Sequence, residues 1–145
     1  MPVSDHHLPA TAPSLWAVLG LAAVFAGLGG LFITAPALGA AIFGIPAPGG
    51  LGDAYLRAIG LRDAALALYL AGLAWAATRR AVCLVLGAST VIPFGDIALV
   101  LAAGTAAWWQ IALHGLSAAV LIGVMGWVGF GQDAAVRWPH RRPSP

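Results

Sequence analysis

Three ionisable or amide residue types are missing from the 145-residue sequence, which contains no lysine, no glutamate and no asparagine. These absences exclude a glutamate general base, a lysine Schiff base and the Walker lysine of a phosphate-binding loop. Charged residues make up only 8% of the chain and hydrophobic residues 61%, whereas a soluble domain is about 25% charged. The composition therefore predicts a membrane protein, and its length suits one domain.

Cysteine is almost missing as well, since Cys83 stands alone. A single cysteine excludes an intramolecular disulfide, a CxxC redox motif and a cysteine zinc site. We predict no metal site and no cofactor. The chain carries a net charge of +2, but its arginines follow long apolar runs and form no broad basic face. We therefore predict no binding to nucleic acid, which needs several phosphate contacts.

Long apolar runs dominate what is present. A helix of about 20 apolar residues crosses a bilayer, and the chain has such runs at about residues 15–33, 61–78, 81–103 and 106–130. The first run is too long for the apolar part of a signal peptide. The sequence predicts an all-α fold, an integral membrane four-helix bundle in the lipid bilayer. Its domain would cover residues 14–130, with mobile tails at 1–13 and 131–145.

The longest connection, Thr34 to Gly60, is rich in proline and glycine. Its apolar part, Ala37 to Ile45, is too short to span a bilayer. We expect a short interfacial or re-entrant helix there, and a second short helix from Asp53 to Ile59. A long connection in a compact bundle is often functional, so this one is either a cover for a binding site or only a hydrophobic lid.

Five arginines suggest the orientation. They lie in the loop between the second and third spans and in the C-terminal tail, at Arg79, Arg80, Arg137, Arg141 and Arg142. The positive-inside rule makes that side cytoplasmic. We therefore expect a plasma-membrane protein with both termini cytoplasmic and the 34–60 connection facing outward.

Ionisable residues inside the spans are the main functional signal. Each costs roughly 2.5–3.5 kcal/mol at the centre of a helix by insertion scales, and the chain places Arg62, Asp63, Asp96 and His114 there. With a rise of 1.5 Å per residue, Asp96 and His114 both lie about 6 Å outward of the middle of their helices. Arg62 and Asp63 begin the second span and lie nearer the outer surface, so all four residues fall in the outward half.

Helical spacing adds neighbours to these residues. Gln110 and Ser117 share a face with His114, and Tyr69 lies seven residues after Arg62. Pro93 cannot donate a hydrogen bond to the carbonyl of Ser89, so a kink is expected beside Asp96.

The chemistry of this set suggests two interpretations. Asp96 and His114 could form an acid/base pair, and Arg62 could bind an anionic group or a developing oxyanion. The remaining candidate ligand-binding residues are Asp63, Tyr69, Gln110 and Ser117. Alternatively, Arg62 pairs with Asp96 only to hold two helices together.

An ordered set of motifs resembles a known family. Pro36 to Pro46 reads P-x-x-x-x-x-x-F-G-I-P, G-L-R-D covers Gly60 to Asp63, Pro93 and Asp96 follow, and His114 comes last. The set resembles the small four-helix membrane proteins grouped as domain of unknown function 4267, and loosely the DoxX-like membrane proteins. The resemblance spans about residues 15–130 and implies a membrane bundle without an established reaction.

The leading functional hypothesis is an outward-half pocket for a small apolar or lipid-like molecule, lined by Arg62, Asp63, Asp96 and His114. Any catalysis would be proton transfer of an isomerase or cyclase type rather than redox or metal chemistry. The alternatives are a transporter of protons or small cations, and a non-catalytic assembly or accessory subunit. A homo-oligomer is also compatible with the sequence.

Overall fold

The computed structural model describes residues 7–130 with the exception of Pro9, so most of the two predicted tails lies outside the described part. The described chain is helical, with one 3-10 turn at Gly50–Gly52 and short connections. In chain order the helices are α1 (Pro13–Thr34), α2 (Pro36–Phe43), α3 (Asp53–Ala76), α4 (Arg79–Ser89), α5 (Val91–Ala103) and α6 (Trp108–Phe130).

Four helical segments are long and apolar enough to cross a membrane, which confirms the predicted helical membrane bundle. They are α1, α3 with the turn before it, α4 together with α5, and α6, and they contain 22 to 27 residues each. At 1.5 Å per residue, each exceeds the roughly 30 Å of a hydrocarbon core. The observed α1 and α6 begin and end within about two residues of the predicted spans.

The second span begins earlier than predicted, at Asp53 instead of residue 61. The separate short helix predicted from Asp53 to Ile59 is therefore wrong, because these residues form the first turns of α3. Gly60 does not interrupt the helix. A Cβ at Gly60 would lie 2.7 Å from the carbonyl oxygen of Gly29, so glycine is required there for the close approach of α1.

The third span is divided at Thr90, between α4 and α5. This break lies where the sequence predicted a kink, since Pro93 has no N–H to donate to Ser89. Near the break, the Ser89 hydroxyl donates to the carbonyl oxygen of Val85 at 2.8 Å, and the Thr90 hydroxyl donates to that of Gly87 at 2.6 Å.

The connection between α1 and α3 contains the expected short helix, α2, which is eight residues long. It packs on α1 and α3. The end of the bundle that holds residues 35–52 and 104–107 is called the connection end below. The opposite end, with residues 7–12 and 77–80, is called the arginine end.

The close-packed core lies towards the arginine end. Apart from Ser14, its fully buried side chains are aliphatic and come from four helices, with Leu15, Val18, Leu70, Val82, Leu86, Leu121 and Val128. At the start of α4, Arg79 is buried and donates from Nη1 to the carbonyl oxygen of Val128 at 3.4 Å. This contact ties α4 to the end of α6.

Part of the predicted N-terminal tail also packs here. Leu8 and Ala12 are buried in the same core, and Nδ1 of His7 lies 3.2 Å from the carbonyl oxygen of Ala77. The packed domain thus begins before residue 14.

Candidate functional site

A cavity of about 350 Å³ lies in the half of the bundle nearest the connection end, between α1, α2, α3, α5 and α6. Its walls are mainly aliphatic and aromatic, including Leu28, Phe32, Ile42, Phe43, Ile92 and Val120. Its polar lining comes from Arg62, Asp63, Asp96, His114 and Ser117. The structure therefore brings five of the seven predicted site residues to one cavity.

Asp96 of α5 and His114 of α6 face each other in this cavity. Oδ2 of Asp96 lies 3.8 Å from Nδ1 of His114, and only 17% and 10% of the two side chains are exposed. The equal depth estimated from the sequence is consistent with this contact. The distance is that of an ion pair with one ring nitrogen directed at one carboxyl oxygen.

The other ring nitrogen of His114 determines which tautomer is present. Nε2 lies 3.0 Å from the carbonyl oxygen of Phe43, and a carbonyl oxygen can only accept, so Nε2 carries the proton and donates. In a neutral ring, Nδ1 is then an unprotonated acceptor directed at Asp96. Nδ1 is therefore the ring nitrogen that faces the Asp96 carboxyl group, and the 3.8 Å between the two atoms is longer than a hydrogen bond.

Phe43 was not among the predicted site residues. Besides its carbonyl group, its ring lies edge-on to the His114 ring, with centroids 4.9 Å apart and planes 72° apart. The F-G-I-P motif contained this residue, but nothing in the sequence connected it with a histidine 71 positions later.

Three side chains, two on α6 and one in the loop before it, donate hydrogen bonds to the C-terminal end of α2. The carbonyl oxygens of Ala41 and Phe43 in α2, and of Gly44 directly after it, accept from Gln110, His114 and Thr105 respectively, at 2.6, 3.0 and 2.8 Å. These carbonyl groups lie at the end of α2 and have no partner within the helix.

Gly44 permits the close contact of this turn with the rest of the bundle. Its φ is +103°, and a Cβ there would lie 2.7 Å from Cγ1 of Val100.

Arg62 and Asp63 form the second polar group of the cavity. Nε and Nη2 of Arg62 donate to Oδ1 of Asp63 at 3.2 and 3.1 Å. The Asp63 side chain is 7% exposed and that of Arg62 is 49% exposed. Within the described chain Arg62 makes its direct ion pair with Asp63, and a direct Arg62–Asp96 pair between the two helices is not formed there.

Tyr69 is not brought to the cavity. Its side chain is 65% exposed on α3. Seven residues along a helix place it two turns, about 10.5 Å, away from Arg62.

Gln110 and Ser117 have clear structural partners. Gln110 is buried outside the cavity lining, and its Oε1 accepts from the backbone N–H of Ala107 at 2.6 Å. Ser117 lines the cavity, while its hydroxyl donates to the carbonyl oxygen of Leu113 at 3.0 Å. The hydroxyl oxygen keeps its capacity to accept a hydrogen bond from a ligand.

The arrangement has no cluster suited to a metal ion. In the part of the chain that the structure describes, no three His, Cys, Asp or Glu side chains lie together. What the cavity offers is one carboxyl–imidazole pair, one neutralised guanidinium–carboxylate pair and one hydroxyl group.

A model of the family described as domain of unknown function (DUF4267) matches residues 22–128, more than half of the chain. The chain belongs to that family, and the match includes all of the cavity's polar residues. The looser likeness to DoxX-like proteins stays a prediction. No curated protein and no solved structure matches the chain.

Proposed function

We propose that this member of the DUF4267 family binds a small apolar or lipid-like molecule in the cavity, with Asp96 and His114 as an acid/base pair at its polar side. The observation that carries the proposal is an apolar cavity of about 350 Å³ in which five polar side chains share the lining. Pockets for small molecules typically measure about 300–1,000 Å³ and combine apolar walls with a few polar groups.

Stability alone does not explain why these polar groups lie inside the spans. An ionisable side chain in a membrane segment is costly and usually marks a ligand or ion pathway. A buried pair can be replaced by apolar residues with little loss or with a gain of stability. Asp96 and His114 instead face an open space where a ligand group would reach them.

A reaction at this site would be proton transfer. One member of the Asp96–His114 pair would give a proton to one ligand atom while the pair takes a proton from another ligand atom, which requires no oxidant or reductant. Isomerisation and cyclisation fit this description. The Nε2 bond to Phe43 would hold the ring while Nδ1 exchanges the proton, and Ser117 would position a donor group of the ligand.

We also propose that the arginine end faces the cytoplasm of the plasma membrane, with both termini on that side. The positive-inside rule supports this, since Arg79 and Arg80 lie at that end. The test is a Cys83→Ser protein that carries Leu51→Cys, since Leu51 is 96% exposed at the connection end. Labelling by an impermeant maleimide should occur from outside intact cells, and labelling only after lysis would invert the orientation.

The binding proposal is tested by filling the cavity. Ile92 lines the cavity, whereas Ile122 is exposed on α6 and does not line it. The Ile92→Phe protein should lose the small molecules that co-purify with the wild type in detergent, as identified by mass spectrometry of extracts. The Ile122→Phe protein, with the same substitution at an exposed position, should retain them.

The role of the polar pair is tested with Asp96→Asn and His114→Ala, which should both lose the co-purified molecules. Tyr69→Phe is the control, since Tyr69 lies away from the cavity. Unchanged extracts from the Ile92, Asp96 and His114 variants would contradict the proposal.

A further inference from the structure

The cavity is not sealed from the surface on all sides. Several of its lining residues lie near the middle of α1 and α6 and are also strongly exposed. Val24 on α1 is 58% exposed and Leu116 on α6 is 60% exposed, while both belong to the cavity lining. Residues at the middle of a spanning helix are surrounded by lipid, so this side of the cavity opens to the bilayer and not to water.

The packing of the helices explains the opening. α1 packs chiefly on α3, and α4 and α5 pack chiefly on α6. The bundle is thus two groups of helices that meet in the core near the arginine end and, at the connection end, through the hydrogen bonds from the α6 region to the end of α2. Between these two levels the cavity lies between α1 and α6, and the exposed lining residues of these two helices mark its side opening.

On the polar side of the cavity, each acidic side chain faces a basic one. Arg62 and Asp63 neutralise each other through two hydrogen bonds. Oδ2 of Asp96 faces Nδ1 of His114 at 3.8 Å, so no acidic or basic side chain of the lining is left over to pair with a charge on the ligand. A carboxylate, a phosphate or a quaternary ammonium group would bring an uncompensated charge into an apolar space.

From these two features we infer that the ligand is an uncharged, membrane-dissolved molecule with one hydroxyl or carbonyl group, which enters sideways between α1 and α6. This inference rests on the proposed function and specifies its ligand. A hydroxyl or carbonyl group matches the donors and acceptors of the Asp96–His114 pair and of Ser117. The apolar remainder of the ligand would lie along Leu28, Phe32 and Val120.

Ligand class is tested with three probes of one chain length, n-decanol, decanoate and decyltrimethylammonium. Their binding to the full-length protein in lipid nanodiscs is measured by isothermal titration, with Ile92→Phe as the filled-cavity control. We expect n-decanol to bind, and both charged probes to bind at least about tenfold more weakly, since a charge in an apolar site is costly. Binding should disappear in Ile92→Phe.

The outcomes separate the two proposals. If decanoate or the ammonium probe binds as tightly as n-decanol and the Ile92→Phe variant abolishes that binding, the cavity is a binding site but the inference about ligand class is wrong. If no probe binds the wild-type protein, the proposed function and the inference both fail.

The side opening is tested separately, with Val24→Trp and Leu116→Trp as variants that obstruct it. Exchange of n-decanol fluorinated at its terminal methyl group is followed by ¹⁹F NMR. We expect exchange about tenfold slower than in the wild type with little change in affinity, because an obstructed path slows binding and release alike. Val91→Trp is the control, since Val91 is 71% exposed and does not line the cavity.

Wild-type exchange rates in both obstructing variants would overturn the side opening. Circular dichroism and size-exclusion chromatography check that each variant is folded. Because the two substitutions lie on different helices, either one suffices for the test if the other fails to fold.

Discussion

The two halves of the bundle are made of the same apolar helices but differ in what fills them. Towards the arginine end, seven fully buried aliphatic side chains close the space between the helices. Towards the connection end, the helices enclose a cavity of about 350 Å³ and the ionisable residues of the spans lie around it. The close-packed side chains are thus concentrated in one half of this small domain, and the proposed ligand chemistry belongs to the other half.

The comparison also bears on transport. A relay for protons or cations would need polar groups on both sides of Asp96 and His114 along the membrane normal. In the described residues, the hydrophobic core between this pair and the arginine end includes Leu70, Leu86 and Leu121, and the buried polar residues on that side are Ser14, Arg79 and Ser89. This largely apolar core is the reason that we propose a pocket rather than a continuous polar path.

The largest effect on stability is expected from the arginine half. Leu70 is fully buried, and its replacement by alanine should lower the free energy of unfolding by about 2–5 kcal/mol through lost contacts and a new cavity. Leu68→Ala is the matched control, since Leu68 is 74% exposed on the same helix. Unfolding in mixed detergent micelles measures both. Equal losses in the two variants would remove the distinction between a packed and an unpacked half.

The seam between α1 and α3 connects the two halves and should be nearly as sensitive. A Cβ at Gly60 would meet the Gly29 carbonyl oxygen at 2.7 Å, so Gly60→Ala should destabilise the protein by about 1–3 kcal/mol. At Gly72, on the same helix, a Cβ would meet nothing within 4 Å. Gly72→Ala should therefore stabilise the protein by about 0.5–1 kcal/mol through helix propensity, and thermal unfolding of both variants would show opposite shifts.

Sequence reasoning identified the spans, the kink at Pro93 and the level of Asp96 and His114, because hydropathy, proline chemistry and helical rise act locally. It did not identify the contact of Phe43 with His114 or that of Gly29 with Gly60. Both depend on how distant segments meet, which no local pattern encodes. It also placed Tyr69 in the site, because a shared helical face gives direction but not distance along the axis.

The attachment of α2 should have a moderate and local effect. Gln110 donates to the Ala41 carbonyl and accepts from Ala107 N–H. Gln110→Ala should cost about 1–2 kcal/mol and should raise amide hydrogen exchange in residues 36–44, with the arginine half unchanged. Ser117→Ala is the control, because the Ser117 hydroxyl donates within its own helix. Increased exchange in α4 would show that the two halves are not independent.

Asp96→Asn should have the smallest effect on stability of these variants and the largest effect on function. The substitution replaces the carboxyl group, whose Oδ2 lies 3.8 Å from Nδ1 of His114, with an uncharged amide of the same shape that can donate to this nitrogen. The free energy of unfolding should therefore change by less than about 1 kcal/mol, while the acidic group of the proposed pair is lost. A variant that retains the wild-type unfolding midpoint but no longer binds n-decanol would show that the pair serves the cavity. A loss of about 3–5 kcal/mol, as expected when a structural buried pair is broken, would assign the pair to stability and remove the contrast between the two halves.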